Sequence, residues 1–147
     1  MTVVEWFMKN GEHWSDAEYG PNGWIFPHRV ASDKRRGIYC FIEAGLIEKV
    51  GKAEQEGGIA TRALQYMGSK RRLDRGDGDR SDALWDKVMY GELKGQTLQV
   101  YFYEVKSIPQ SYDGVEVPID GIRILEKNRS IQAREEGNPM RLSGKGN

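Results

Sequence analysis

The apolar positions of the chain recur with a period of two in three segments, which predicts three β-strands. The first segment is 37–43, and the second, 46–52, follows a turn at 44–45, so these two should form a hairpin. The third, 97–105, is rich in β-branched and aromatic residues. In the first strand the side chain of Tyr39 should point away from the apolar side chains on either side of it.

Apolar positions at a spacing of three and four residues predict four helices. They are a short helix after the capping box of Thr2 and Glu5, a helix over 58–68, a helix capped by Ser81 that ends at Gly91, and a helix that begins at Pro118 and fades around Gly137. Residues 69–80 carry too few apolar groups for a core and are predicted to be an exposed loop. This mixture of strands and helices predicts an α/β fold.

The first 36 residues differ in character from the rest of the chain. After the first helix they are rich in turn residues and contain four large aromatic side chains, those of Trp14, Tyr19, Trp24 and Phe26. A disordered tail rarely contains so many aromatic residues, so we expect this segment to pack across the main domain. The predicted organisation is an extension over 1–36, a main domain over 37–138 and a loosely held tail over 139–147.

Composition fits one compact domain in a reducing compartment. The chain has 147 residues, of which 38% are hydrophobic and 30% are charged. Its single cysteine, Cys40, excludes an internal disulfide, and a zinc site is not expected because Cys40, His13 and His28 are well separated. The longest apolar run is too short to cross a membrane and the N-terminus has no signal-peptide pattern, so we expect a cytoplasmic protein.

Three polar residues have the types and placement that a phosphodiester-cutting site needs. Tyr39 lies on the first strand, Lys49 follows ten residues later on the second strand, and Arg62 lies on the next helix with Tyr66 four residues further on. Such a site must take a proton from the attacking water and stabilise charge on the phosphoryl oxygens. Arg62 offers a guanidinium fork for a phosphate oxygen. Tyr39 is the candidate proton acceptor, and the cation of Lys49 would favour its phenolate form.

The order of the elements and two short motifs resemble the GIY-YIG nuclease superfamily over roughly residues 37 to 138. The first motif is intact as Gly-Ile-Tyr at 37–39, and the second reads Lys-Val-Gly at 49–51, with lysine in place of the family's tyrosine. This departure is known in the superfamily, in some phage proteins and in at least one restriction-enzyme branch. The resemblance implies an α/β fold with a small three-stranded antiparallel sheet flanked by helices. It also implies a metal-dependent DNA endonuclease, of phage, mobile-element, repair or restriction character.

By the same resemblance, seven side chains form the catalytic site: those of Tyr39, Lys49, Lys52, Arg62, Tyr66, Glu126 and Asn138. Glu126 corresponds to the family's glutamate and would hold Mg²⁺ or Mn²⁺, with water and phosphate oxygens as the other ligands. Lys52 and Tyr66 match positions of the excision-repair branch. Asn138 follows Glu126 by twelve residues, as in that branch.

DNA, double-stranded or branched, is the expected partner. Local patches must contact its phosphates, because 22 basic residues balance 22 acidic ones. The candidates for these contacts precede the first strand or lie in the predicted loop: Lys34, Arg35, Arg36, Lys70, Arg71, Arg72 and Arg75. No membrane partner is expected. A second copy of the chain is a further candidate partner, through the aromatic N-terminal segment.

The same residues also have purely structural explanations. Tyr39 can be a packed aromatic residue, Arg62 a solvated charge, and Lys49 and Lys52 charges that protect an edge strand from pairing. Glu126 can pair with an arginine three residues away on its helix. The main alternative function is therefore a nucleic-acid-binding module of the same fold without catalysis. A structural partner in a larger assembly is the third hypothesis.

Overall fold

The structure, a computed structural model, describes residues 1–106, 110–117 and 120–144. Its strands are β1 (Glu12–Gly20), β2 (Gly23–Ile25), β3 (Gly37–Glu43), β4 (Leu46–Ala53), β5 (Leu98–Glu104), β6 (Gln110–Tyr112) and β7 (Val115–Val117). Its helices are α1 (Val3–Asn10), α2 (Gly58–Met67), α3 (Ser69–Asp74), α4 (Arg80–Tyr90) and α5 (Gly121–Glu135).

The main sheet has five strands rather than the predicted three. Its order is β2-β1-β5-β3-β4 and all of its pairs are antiparallel, while β6 and β7 form a separate hairpin. The three predicted strands are β3, β4 and β5, and the two others come from the N-terminal segment. The prediction that this segment packs against the main domain did not include strand pairing, by which β1 joins β5 and extends the sheet. Trp14 of β1 and Trp24 of β2 are buried in the core.

The sheet has two apolar faces, as the alternation in β3 predicts. Tyr39 and Phe41 lie on one face with the aromatic side chains of α2 and α4, among them Tyr66 and Trp85. Ile38, Cys40 and Ile42 lie on the other face, where α1 and α5 pack. Tyr39 therefore faces away from its apolar neighbours, and the free thiol of Cys40 is buried.

The predicted β3–β4 hairpin is confirmed. Ala44 and Gly45 have φ angles of 50° and 77°, so both residues of the turn are left-handed. Two successive positive φ angles are typical of the two-residue turn whose twist matches that of a hairpin. The register places Tyr39 opposite Gly51 and Phe41 opposite Lys49, and β4 is the edge of the sheet.

The helices follow the prediction except between residues 68 and 82. Residues 69–74 form α3 and not an exposed loop, because Arg72 makes a bidentate ion pair with the buried carboxylate of Asp82 on α4. The N-cap of α4 is Asp79 and not Ser81, in a reciprocal capping box with Asp82. The last helix begins at Gly121 after the cap of Asp120. Its predicted start, at 118–119, lies outside the described residues.

The C-terminal segment is held more firmly than predicted. The backbone N–H groups of Met140 and Leu142 donate to the carbonyl oxygens of Ile47 and Glu48 on β4, at 3.1 and 2.9 Å. The side chain of Leu142 is fully buried. Residues 139–144 thus cover one end of the edge strand, and 145–147 lie outside the described residues. Within the described part of the chain, no helix has the length and apolar character needed to cross a membrane.

Candidate active site

Three of the predicted catalytic residues meet between β3 and α2. The hydroxyl groups of Tyr39 and Tyr66 form a hydrogen bond of 2.8 Å, and Nε of Arg62 donates to the Tyr39 hydroxyl oxygen at 3.1 Å. The Arg62 guanidinium carbon also lies 4.9 Å from the centroid of the Tyr66 ring. Tyr66 was predicted to share a polar helix face with Arg62, yet it is buried in the aromatic core. The guanidinium is therefore fixed by two phenols.

Gly51 on the edge strand leaves room for the Tyr39 hydroxyl because it has no side chain. It pairs with Tyr39 across the β3–β4 ladder. A Cβ at this position would lie 2.4 Å from both the hydroxyl oxygen and Cζ of Tyr39. The glycine that closes the Lys-Val-Gly motif is thus needed so that the phenol can lie across β4.

The cluster of Tyr39, Arg62 and Tyr66 joins two phenols to one guanidinium: Arg62 donates to Tyr39, and either phenol can donate to the other. Burial raises the pKa of Tyr66 well above its usual value, so this phenol keeps its proton. Burial alone would lower the pKa of Arg62, but the adjacent Tyr39 and Tyr66 outweigh it and the pKa is raised. Both the Tyr66 O–H and the Arg62 Nε–H are therefore available to the Tyr39 oxygen. Donors of these two kinds are the ones that stabilise negative charge developing on an oxygen during a reaction.

Lys49 lies beside this cluster in an unusual environment for a lysine. It is only 6% exposed, and its Nζ is 5.9 Å from the centroid of the Trp85 ring. Burial lowers its pKa, and the nearby Tyr39 opposes that shift. Among the described residues its ammonium group makes no hydrogen bond or ion pair. A buried ammonium group that has only a longer-range attraction to the Glu126 carboxylate is costly to the fold and available to an anion.

Glu126 projects from α5 toward the same edge of the sheet. Burial raises the pKa of its carboxyl group, while the charges of Lys52 and Lys49 act in the opposite direction. Helix α5 packs on the sheet face opposite Tyr39. The Glu126 carboxylate is nevertheless close enough to the lysines of β4 for their charges to act on its pKa. Within the described residues it forms no ion pair or hydrogen bond.

The structural alternative for Glu126 was pairing with Arg123 or Arg129. The guanidinium carbon of Arg129 instead lies 4.4 Å from the centroid of the Trp6 ring. Among the described residues Arg123 makes no ion pair with Glu126, although its charge acts to lower the pKa of the carboxyl group.

A cavity of about 300 Å³ opens beside Arg62 and is lined also by Lys52, Glu54, Gln55 and Gln65. Lys52 forms an ion pair of 3.1 Å with Glu54. Gln65 accepts a hydrogen bond of 2.9 Å from Nη1 of Arg62 and helps to orient the guanidinium. Our sequence analysis missed Gln65, although its position three residues after Arg62 places it on the same side of the helix.

Asn138 has a different environment from the other predicted site residues. Its Oδ1 accepts a hydrogen bond of 2.9 Å from the backbone N–H of Ile47, and its Nδ2 donates to the carbonyl of Ala133, also at 2.9 Å. Both polar groups of the side chain are thus used to fasten the end of α5 to β4. These two hydrogen bonds explain the presence of Asn138 at this position without a catalytic role.

Most of the basic residues predicted to contact DNA are engaged within the fold. Arg35 pairs with Glu12 and Asp33. The other ion pairs join Lys70 to Asp74 and Asp86, Arg72 to Asp82, and Arg75 to Asp77. The remaining three candidates are exposed and have no ion pair among the described residues: Lys34, Arg36 and Arg71. Free positive charge is therefore sparser than the sequence indicates.

The donors at this site fit a metal ion held by one carboxylate. The described residues contain no group of three or more His, Cys, Asp or Glu side chains that could surround a metal. Glu126 is half-buried and makes no hydrogen bond or ion pair among the described residues, so its oxygens are available to a metal ion. A single carboxylate suits Mg²⁺, which keeps several waters and takes further oxygen ligands from phosphate.

Comparisons with known proteins identify a similar fold. No protein-family model matches the sequence. No curated protein matches it either. Among solved structures, the chain is similar to the restriction endonuclease HPY188I in complex with product DNA, with a TM-score of 0.54, 12% sequence identity, and coverage of 92% of this chain and 82% of that chain. At this identity the likeness shows the fold alone, so the chain shares the mixed α/β fold of a restriction endonuclease.

Proposed function

We propose that the protein is a metal-dependent DNA endonuclease with a site of GIY-YIG type. The observation that carries the proposal is the convergence of the Tyr39 hydroxyl, the Arg62 guanidinium and the Tyr66 hydroxyl, with a buried and unpaired lysine beside them. The similarity in fold to a restriction endonuclease supports the same class of reaction. Tyr39, Lys49, Lys52, Arg62, Tyr66 and Glu126 are the proposed site residues.

In this proposal Arg62 binds the phosphate that is cut. Its Nε and Nη1 atoms are held by Tyr39 and Gln65, and it borders the cavity beside β4. The guanidinium is thus oriented before the substrate arrives, which lowers the cost of stabilising charge in the transition state. Lys49 and Lys52 add positive charge at the same edge of the sheet.

Tyr39 is the proposed proton acceptor for the attacking water. Arg62 Nε donates to its oxygen, and the Tyr66 hydroxyl, which is hydrogen-bonded to the same oxygen, can donate to it once Tyr39 gives up its own proton. These two groups and the adjacent Lys49 ammonium would stabilise the phenolate. The substitution of lysine for the second-motif tyrosine then has a physical purpose, because a cation replaces a neutral phenol at this position. Glu126 would hold Mg²⁺ or Mn²⁺, and when bound the ion stabilises charge on the phosphate and leaving oxygens.

A plasmid assay tests the proposal. Purified protein should nick or linearise supercoiled DNA with Mg²⁺, and a chelator should stop the reaction. Glu126→Gln should abolish cutting, and Tyr39→Phe should reduce it by about 100-fold or more. Glu135→Gln, which changes an exposed carboxylate on the same helix, should cut at the wild-type rate. Binding of DNA without cutting, with Mg²⁺ or Mn²⁺ and on duplex, flap and branched substrates, would instead establish the non-catalytic binding module.

A further inference from the structure

A second cavity lies on the other side of Arg62. It has a volume of about 290 Å³, is open to solvent, and is lined by residues of α2, α3 and α4 and by the N-cap of α4. Arg62 and Gln65 line both this recess and the cavity beside β4, so they form a ridge between the two. A phosphate bound at the ridge has one nucleotide on each side, and the recess is the space on the α4 side. Its other lining residues are Arg72, Asp79, Ser81, Asp82 and Trp85.

The polar groups of the recess are held in fixed positions. Arg72 makes two hydrogen bonds of 2.9 Å to the Asp82 carboxylate, and its Nη2 also donates to the carbonyl of Gln65 at 2.8 Å. Asp79 uses one carboxylate oxygen to cap α4, at 2.8 Å from the Asp82 nitrogen. Its other oxygen and the Ser81 hydroxyl make no hydrogen bond within the described residues, and both side chains are exposed. The recess therefore offers an acceptor and a hydroxyl to a ligand.

Once Arg62 is occupied by the proposed phosphate, the charges that remain in the recess disfavour a second one. The positive charge of Arg72 is neutralised by its ion pair with Asp82, and Asp79 adds a negative charge. A second phosphate there would meet the Asp79 carboxylate, one oxygen of which makes no hydrogen bond within the described residues, whereas the phosphate at Arg62 meets a guanidinium. The part of a nucleotide that fits the recess is thus the base, and a free carboxylate oxygen suits a base that carries an amino group.

We propose, building on the nuclease function above, that the recess holds the base of an unpaired nucleotide next to the phosphate at Arg62. A base within the duplex stack is out of reach of such a recess, so it must leave the stack to enter. The volume of about 290 Å³ lies just below the range for small-ligand sites, about 300–1,000 Å³, as suits a single base. Asp79 accepts a hydrogen bond from the amino group of adenine, cytosine or guanine. Thymine has no amino group and is disfavoured.

Fluorescence of 2-aminopurine in DNA tests this placement without cleavage. The base analogue is placed at one position at a time along an oligonucleotide duplex, and its emission rises when it leaves the stack. The Glu126→Gln protein should raise the emission severalfold at a single position. Ser81→Trp in the same background fills the recess and should remove the rise. Ala83→Trp places the same side chain on an exposed part of α4 outside the recess and should leave it unchanged.

Base preference gives a second readout in the cutting protein. Substrates with thymine at the identified position should be cut with a kcat/KM about tenfold lower than those with adenine or cytosine. Asp79→Asn keeps a good helix cap but removes the negative charge, and should reduce that preference. The recess proposal is wrong if no position responds, or if Ser81→Trp leaves both the emission and the base preference as in wild type. If the protein still cuts plasmid DNA while the recess tests fail, only the recess proposal is wrong and the nuclease function is still supported.

Discussion

Replacement of Gly51 by alanine should disable the site while leaving every proposed catalytic side chain in the sequence. The new Cβ would lie 2.4 Å from Oη and Cζ of Tyr39, whereas ordinary contacts begin near 3.4 Å. The phenol must therefore withdraw by about 1 Å. The backbone of Gly51 is not in the left-handed region, so the collision alone causes the effect.

The size of the effect follows from the contacts that Tyr39 makes. Overpacking of a filled core costs about 1–3 kcal/mol, which in a chain of this length lowers Tm by about 3–10 °C. A shift of that size also takes the 3.1 Å bond from Arg62 out of hydrogen-bond range. Misplacement of a reacting group by about 1 Å can reduce turnover by about 100-fold. We therefore expect a modest loss of stability and a large loss of kcat.

The assay pairs thermal unfolding with plasmid cutting, and cutting is measured well below the Tm of each variant. Gly121→Ala is the matched control, because its Cβ meets only Val105 at an ordinary 3.5 Å. It should retain wild-type cutting. In the Tyr39→Phe background, Gly51→Ala should cause no further loss of turnover, because the hydroxyl through which it acts is already absent.

Wild-type turnover in Gly51→Ala would refute this reasoning. It would show that the position of the Tyr39 hydroxyl over β4 does not matter for cutting. A loss of turnover that adds fully to that of Tyr39→Phe would also contradict it, since Gly51 would then act on another group.

Three further predictions concern single residues. Lys49→Met should abolish cutting yet raise the free energy of unfolding by about 1 kcal/mol or more at pH 7, measured by urea unfolding, because it removes a buried unpaired charge. The hydrogen bond from Arg35 lowers the pKa of Asp33 to about 2 from 3.8. The stability that Asp33 provides is thus present above about pH 4 and is lost as pH falls toward 2, and Asp33→Asn should flatten the dependence of Tm on pH there. Asn138→Ala should lower stability by about 1–3 kcal/mol, with turnover per folded molecule unchanged.

The centre of the fold could be predicted from local patterns. Strict alternation placed Tyr39 on the face opposite Cys40, and the two-residue turn at 44–45 fixed the hairpin. Helical spacing then put Arg62 and Tyr66 one turn apart on the element that follows. These patterns depend on neighbours in sequence, so they were enough to bring the three side chains of the cluster into the same region.

The parts that were missed depend on contacts between distant segments. Residues 12–25 look like a turn-rich segment, yet they become strands because β5 offers its free edge to β1. Helix α3 has few apolar residues and is held by the ion pair of Arg72 with Asp82 on α4. The tail is fixed by backbone bonds to β4. A local pattern of hydrophobic residues does not show which distant segment an element will contact.

Lys49 connects the stability of this fold to its proposed chemistry. Lysine is among the residues least often buried without a partner, and an apolar side chain would serve the packing beneath Trp85 better. The ring of Trp85 compensates only part of the loss of hydration, through a contact of 5.9 Å. The remaining cost is understandable if an anion completes the site, either a Tyr39 phenolate or a phosphate of the substrate. By that reasoning, DNA that reaches the cluster should stabilise wild-type protein more than Lys49→Met. Equal stabilisation of the two proteins would show that the buried lysine does not interact with the substrate.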